Sequence, residues 1–142
     1  MKSGANPKVG GLLEAALYVE DLQRSKQFYQ TIFDFETLYS NAGCCAMSVG
    51  GQQALLLFEK GASIQPIVTS GGIIPPSEGS GSLHLAFSIS AADVESWEKK
   101  LIENGVEIES KVEWKQGGRS LYFRDPDHHL IELVTPGCWS IY

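Results

Sequence analysis

Leu13-Glu14-Ala15-Ala16-Leu17-Tyr18-Val19 and Leu83-His84-Leu85-Ala86-Phe87-Ser88-Ile89 are two copies of one pattern. Each is an apolar strand whose second residue can bind a metal or move a proton, Glu14 in one and His84 in the other. Each leads within a few residues into an amphipathic segment and then into further strands. A chain that repeats its architecture and sets a chemically able residue at matched positions points to a site built between its two halves.

Outward from the first copy, Asp21 is a fitting N-cap for a helix with Leu22, Phe28, Tyr29, Ile32 and Phe33 on one face. Strands are expected at 36–40, 45–49 and 54–58, with turns at Asn41-Ala42-Gly43 and Gly50-Gly51-Gln52. After the second copy, Ser90 and Asp93 have the spacing of a capping box. Val94, Trp97, Leu101 and Ile102 form the inward face of the second helix, which Asn104-Gly105 ends. Strands follow at 107–114, 120–124 and 130–134, the last two joined by a tight turn at Asp125-Pro126-Asp127-His128. The expected fold is therefore α+β: two βαβββ modules whose sheets curl around a shared cavity, with helices outside. A flexible lead-in is expected at 1–10, and 11–142 forms a single domain. Within it, module one spans 11–60, a Gly-, Ser- and Pro-rich linker 61–81, module two 82–136 and a short tail 137–142.

Composition narrows the partners. A chain of 142 residues, 43% hydrophobic and 20% charged, has the make-up of an ordinary globular domain. A formal charge of −6 with no basic run argues against nucleic acid and anionic membranes, leaving a small molecule as the expected partner. No apolar run reaches the ~18 residues of a membrane helix. Met1 to Pro7 lacks the apolar core of a signal peptide. Cys44, Cys45 and Cys138 read as reduced thiols of a cytoplasmic protein: neighbours on a strand point to opposite faces, and there is no CxxC spacing.

The ends of the halves align as well. Laying Gln52 to Phe58 over His128 to Val134 sets Leu56 opposite Glu132. Three of four equivalent positions then carry groups able to bind a metal, namely Glu14, His84 and Glu132, and a hydrocarbon fills the fourth. Singly, each has a plain structural reading: a carboxylate near a strand end, a hydrogen-bonded core histidine, a carboxylate on an edge strand. A lone carboxylate within Leu130-Ile131-Glu132-Leu133-Val134 is nevertheless costly unless it is paired, hydrogen-bonded or bound to a cation. The threefold coincidence favours a joint site. Such a donor set suits one divalent ion (Fe, Mn, Zn, Ni or Mg), while two close carboxylates can equally share a proton with no metal. His128 and His129 read as turn residues, and histidine tolerates positive φ better than most.

Tyr18-Val19-Glu20-Asp21-Leu22-Gln23-Arg24-Ser25-Lys26-Gln27-Phe28-Tyr29 resembles the opening signature of the vicinal-oxygen-chelate superfamily, which includes glyoxalase I, bleomycin-resistance and fosfomycin-resistance proteins and extradiol dioxygenases. Ser120-Leu121-Tyr122-Phe123-Arg124-Asp125-Pro126-Asp127, followed by Leu130-Ile131-Glu132-Leu133, resembles its closing signature. The resemblance runs from Leu12 to Pro136. It implies a βαβββ duplication whose cupped sheet binds one divalent metal, commonly in a dimer. By residue match the metal ligands are Glu14, His84 and Glu132, and Tyr122 matches a substrate-contacting tyrosine. In a metal-dependent reaction, Glu14 or Glu132 is the expected base if it leaves the metal. The chain departs from the pattern at Glu14, where most metal-binding members have His or Gln, at Leu56, which excludes a four-ligand set, and at His128, where Gly is usual.

Three functions are consistent with these residues. The first is a metal-dependent lyase, isomerase, transferase or dioxygenase that chelates adjacent oxygens of a small substrate. The second is a binding protein of the bleomycin-resistance kind, with Trp97, Trp114, Tyr122 and Trp139 available to an apolar or cationic ligand. The third is a metal-free hydrolase or isomerase using the carboxylates. Three ligand-type residues favour the first. The apolar tail, Pro136 to Tyr142, is expected to pack on the protein or on a partner subunit, and the expected assembly is a C2 homodimer.

Overall fold

Alternation with period two organises both halves of the computed structural model, which describes residue 4 and residues 6–142. Residues 1–3 and 5 of the expected lead-in lie outside the described residues. Module one comprises β1 (Glu14–Val19), α1 (Leu22–Phe33), β2 (Thr37–Ser40), β3 (Cys44–Val49) and β4 (Gln53–Glu59). Its sheet order is β1-β4-β3-β2, with β1 parallel to β4. The linker carries a small hairpin, β5 (Ile67–Thr69) and β6 (Gly72–Ile74). Module two comprises β7 (His84–Ser88), a 3-10 turn (Ala91–Asp93), α2 (Val94–Glu103), β8 (Ser110–Glu113), β9 (Arg119–Arg124) and β10 (Leu130–Val134). Its order, β7-β10-β9-β8 with β7 parallel to β10, repeats that of module one.

One face of each sheet is apolar, and these two faces share a single core. Leu17, Val19, Met47, Leu55 and Leu57 of module one belong to the same cluster as Leu121, Phe123, Ile131 and Leu133 of module two. Phe33, at the end of α1, joins them: its ring lies 5.1 Å from Phe87, 5.7 Å from Trp97 and 6.2 Å from Phe123. Asp21 caps α1 as expected, its Oδ1 accepting from the Arg24 N–H at 3.1 Å.

Three local expectations need correction. Ser90 and Asp93 do not form a capping box at α2: Ser90 Oγ accepts from the Ala92 N–H at 3.4 Å, and Asp93 makes no side-chain cap bond. The inserted 3-10 turn tightens the helix entry, so that hydroxyl meets a nearer donor. Ile102 is 66% exposed because Leu101, one helical step away, takes the inward position at 0%. The linker is partly ordered. Its apolar pairs on either side of Thr69-Ser70-Gly71-Gly72 form the hairpin, and the Tyr18 hydroxyl donates to Ser77 Oγ at 2.9 Å near its base.

The turn between β9 and β10 fastens the modules together. Asp125 is 3% exposed; its Oδ2 accepts from the Tyr29 hydroxyl of α1 at 2.8 Å, and its Oδ1 from the N–H groups of Asp127 and His129, each at 2.9 Å. Asp127 accepts from the Glu20 N–H at 2.9 Å and from Ser25 Oγ at 3.0 Å. The buried His129 completes the joint. Its Nδ1 accepts from the Leu83 N–H at 2.9 Å, and its Nε2 donates to the Tyr18 carbonyl at 3.1 Å. Both turn histidines thus serve structure, and His128 holds the positive φ of 63° expected of it.

Burial, reinforced by the Asp125 charge, raises the Tyr29 phenol well above its ordinary value. The folded chain therefore keeps this proton more tightly than the unfolded chain. That contribution is full below the unfolded pKa of about 10 and is lost as pH rises through the folded value. Tyr29→Phe should flatten the alkaline limb of a plot of unfolding free energy against pH. A limb of unchanged slope would assign the alkaline loss to another group.

The tail docks on its own chain at its two ends, Gly137, whose carbonyl accepts from the Gly118 N–H at 3.2 Å, and Tyr142. The Tyr142 hydroxyl meets the carbonyls of Val134 at 3.0 Å and Ile89 at 3.2 Å, while Trp139 is 70% and Ile141 93% exposed. Gly118 and Gly137 permit the crossing beneath it. A Cβ on Gly118 would lie 2.6 Å from the Gly137 carbonyl carbon, and Gly137 has φ 106°.

Candidate metal centre

The face of each sheet turned away from the core carries the chemistry. On β7 and β10 the alternation that buries Ile131 and Leu133 in the core turns His84 and Glu132 to the opposite face. His84 Nε2 stands 3.2 Å from Glu132 Oε1. The other ring nitrogen, Nδ1, faces the Leu130 carbonyl at 2.9 Å. A carbonyl only accepts, so Nδ1 carries hydrogen and Nε2 of the neutral ring presents a lone pair. Two acceptors therefore converge at 3.2 Å, an arrangement that requires a proton on one of them or a cation between them.

Glu132 is held for that role. Its side chain is buried, and Ser120 Oγ donates to Oε2 at 2.5 Å. Ser120 Oγ in turn accepts from Trp114 Nε1 at 2.8 Å. This relay occupies one carboxylate oxygen and leaves Oε1 pointing at His84. Ser120 had no part in the sequence-based site, and Trp114 entered it only as an aromatic wall for an apolar or cationic ligand. The usable signal was that Ser120 precedes Tyr122 by two residues on a strand and so shares its face. Tyr122 lies directly across from Glu132, and its ring stacks on His84 with centroids 6.3 Å apart. Desolvation first, and the Glu132 charge second, raise the Tyr122 phenol, which therefore remains a proton donor at neutral pH.

Glu14 is placed elsewhere. Among the described residues no three His, Cys, Asp or Glu side chains stand close enough to hold one ion, so the chain does not by itself join Glu14 to His84 and Glu132. An apolar cleft of about 480 Å³ between the modules, with Phe33, Phe35, Phe87 and Trp97 in its wall, is bordered by Glu14 but by neither His84 nor Glu132. Leu56 does not line it either. By strand pairing Leu56 shares a face with Glu14, through the Ala16–Leu56 and Glu14–Ala54 partners, and this repeats the Ala86–Glu132 and His84–Leu130 partners of module two. The internal alignment of the halves is thus reproduced residue for residue, while the expected cavity shared by all four positions is not formed within one chain. The physical reason is that the buried apolar side chains of both modules form one shared cluster, and their fusion into one core turns the opposite faces outward.

The remaining candidates are accounted for by packing. Trp97 belongs to the aromatic core, with Lys100 Nζ 5.5 Å above its ring. All three cysteines are free. Burial first, then Cys45 and Glu14, raise the Cys44 thiol, which disfavours a thiolate nucleophile there. No helix among the described residues is long and apolar enough to cross a membrane.

A neutral imidazole lone pair and a buried, hydrogen-bonded carboxylate oxygen fit a borderline divalent cation, which His84 and Glu132 would help to hold. Comparisons with known proteins supply the family. The sequence profile of the Glyoxalase/Bleomycin resistance protein/Dioxygenase superfamily matches residues 11–133. The metallothiol transferase FosB of Bacillus licheniformis is 33% identical over 131 residues, covering 92% of this chain and 78% of that protein. The crystal structure of lactoylglutathione lyase from Agrobacterium tumefaciens superposes with a TM-score of 0.85 at 26% identity, covering 94% of this chain and 99% of that one. A mutant of the fosfomycin resistance protein FosX from Listeria monocytogenes, complexed with Mn(II) and 1S,2S-dihydroxypropylphosphonic acid, superposes with a TM-score of 0.66 at 29% identity, covering 89% of this chain and 90% of that one. Two βαβββ modules, a His–Glu pair on the open face of the second, and a profile match along most of its length place this chain in the glyoxalase/bleomycin-resistance/dioxygenase superfamily.

Proposed function

We propose that this protein is a divalent-metal-dependent enzyme acting on a small molecule through two adjacent oxygens, with His84 and Glu132 of one chain and Glu14 of a second copy as metal ligands. The observation that carries the reading is the convergence of two acceptors, His84 Nε2 and Glu132 Oε1, at 3.2 Å with Nδ1 already committed to a carbonyl. The Mn(II) in the related FosX structure supports a divalent ion. Glu14 stands at the position equivalent to His84 on the open face of module one, so a twofold pairing of open faces supplies the third donor. The assembly proposed is accordingly a C2 homodimer.

A divalent ion so held supplies a Lewis acid for the two substrate oxygens. The chain's own groups do the remaining work. Trp114 and Ser120 fix the Glu132 carboxylate, the Leu130 carbonyl fixes the His84 tautomer, and Tyr122 offers a phenolic proton beside Glu132. Glu14, exposed at the start of its strand, is the better placed of the two carboxylates to leave the ion and act as base.

Complementation tests the shared site. Glu14→Ala and His84→Ala are each expected to lack metal-dependent activity. Mixed after mild dissociation, they form heterodimers in which one of the two sites has every ligand, so about a quarter of all sites are restored at random pairing. Mixtures with no recovered metal binding, from dimers shown to exchange, would rule out the two-chain site. Recovery of neither metal nor activity in the wild-type protein, together with tight binding of an apolar ligand, would favour the bleomycin-resistance type of binding protein.

A further inference from the structure

Among the described residues, the strands of the open faces carry carboxylates but no uncommitted cation. Three Lys or Arg side chains among the described residues lie within strands: Lys111, Arg119 and Arg124. Lys111 and Arg119 share the core-side face with Leu121, and α2 neutralises them, Lys111 through Glu98 at 3.4 Å and Arg119 through Glu95 at 3.3 Å. Arg124 is on the face of Tyr122, at the strand end. It is spent on Glu109, 2.8 Å from its Nε, and on Ser82 Oγ and the His128 carbonyl, each 3.1 Å from its Nη1.

Charge at the proposed centre is already balanced. Two carboxylates and one neutral imidazole match the two charges of a divalent ion, and among the described residues each cation within a strand is already paired with a carboxylate. A phosphonate brings between one and two negative charges to its site and needs forked guanidinium or ammonium donors there. The strand face that carries Glu14 is half-buried and apolar beyond it: Ala16, Leu56 and Phe58, with Tyr18 stacked on Phe58 at 5.8 Å.

We infer that the ligand of this centre is an uncharged, largely apolar molecule presenting two adjacent oxygens, and that the chain does not accept a phosphonate of the kind held by the related FosX mutant. The inference rests on the proposed metal centre and concerns only what the centre selects. With the strand cations already paired, an anionic ligand gains no compensating charge, and the apolar face favours a ligand that sheds its water easily.

The test uses a matched pair: 1S,2S-dihydroxypropylphosphonic acid and its uncharged diethyl ester, which keep the same diol and differ in charge. Full-length protein is first titrated with Mn²⁺, and bound metal is counted from loss of the free-ion paramagnetic resonance signal. Mn²⁺-loaded protein is then titrated calorimetrically with each compound. The ester is expected to bind at least about tenfold more tightly than the acid. In Val112→Lys, which places a cation on the open face across from Ser120, the acid should gain affinity while the Mn²⁺ count stays unchanged. Failure to bind Mn²⁺ removes the metal centre and the inference with it. Stoichiometric Mn²⁺ with the acid binding as tightly as the ester, or with no binding of the ester, overturns the inference alone.

Discussion

His84→Ala is expected to abolish stoichiometric metal binding. The imidazole is one of three proposed protein ligands, and its tautomer is set by the 2.9 Å contact of Nδ1 with the Leu130 carbonyl. Alanine removes the lone pair and leaves Glu132 Oε1 without its 3.2 Å neighbour. Even loss of a group that merely orients a ligand costs tenfold to a hundredfold in metal affinity, so loss of the ligand itself should exceed about a hundredfold. Atomic absorption on protein purified without chelator or nickel resin, followed by Mn²⁺ titration, reads the effect. Ser120→Ala, which frees Glu132 Oε2 but keeps both ligands, should fall between wild type and His84→Ala. Substantial metal retained by His84→Ala would reject the ligand set. The half-exposed position of His84 makes a folding defect a poor explanation of any loss, and an unchanged melting temperature in the variant checks this directly.

Asp125→Ala is expected to cost the most stability of any change considered. Its carboxylate is buried and serves three donors, the Tyr29 hydroxyl and the N–H groups of Asp127 and His129. Alanine would strand the buried Tyr29 hydroxyl and loosen the turn that also positions Asp127 against Glu20 and Ser25. Breaking a buried, charge-assisted network of this size costs about 3–5 kcal/mol. For a chain of this length that corresponds to a melting point lower by roughly 10 °C. Urea denaturation of the two proteins gives the difference. A loss below about 1 kcal/mol would show that the modules are held by their apolar core without help from this turn. The consequence for the proposed site is indirect but definite: the same turn leads into β10 and sets the register that pairs Leu130 with His84.

Much of the fold was legible because its signals are local. Asp21 at the start of α1, Asn104-Gly105 at the end of α2 and the alternation in β10 each act over a few residues. The hairpin at Ile67–Ile74 was hidden by its own composition, since Gly and Ser in its turn and Pro beyond it read as linker. Ile102 was misplaced because two adjacent apolar residues on a helix compete for one inward direction, and burial of Leu101 settled the competition. The Asp125-Pro126-Asp127 segment was recognisable as a turn, yet its carboxylates find their donors about 100 positions earlier in the chain, beyond the reach of any local pattern.

By itself, the sequence determined the duplication, the strand and helix order, and the pairing equivalence of Glu14 with His84 and of Leu56 with Glu132. It did so because period-two and helical periodicity specify which side chains share a face. The tertiary structure alone decided which faces meet. Phe33, Phe87, Trp97 and Phe123 drew the helix-side faces of the two modules into one core. That choice turned the open faces outward, brought His84 to Glu132 across adjacent strands and left Glu14 outside their reach within the chain. The outcome depends on the summed apolar area of two surfaces distant in sequence, a quantity that spacing does not encode.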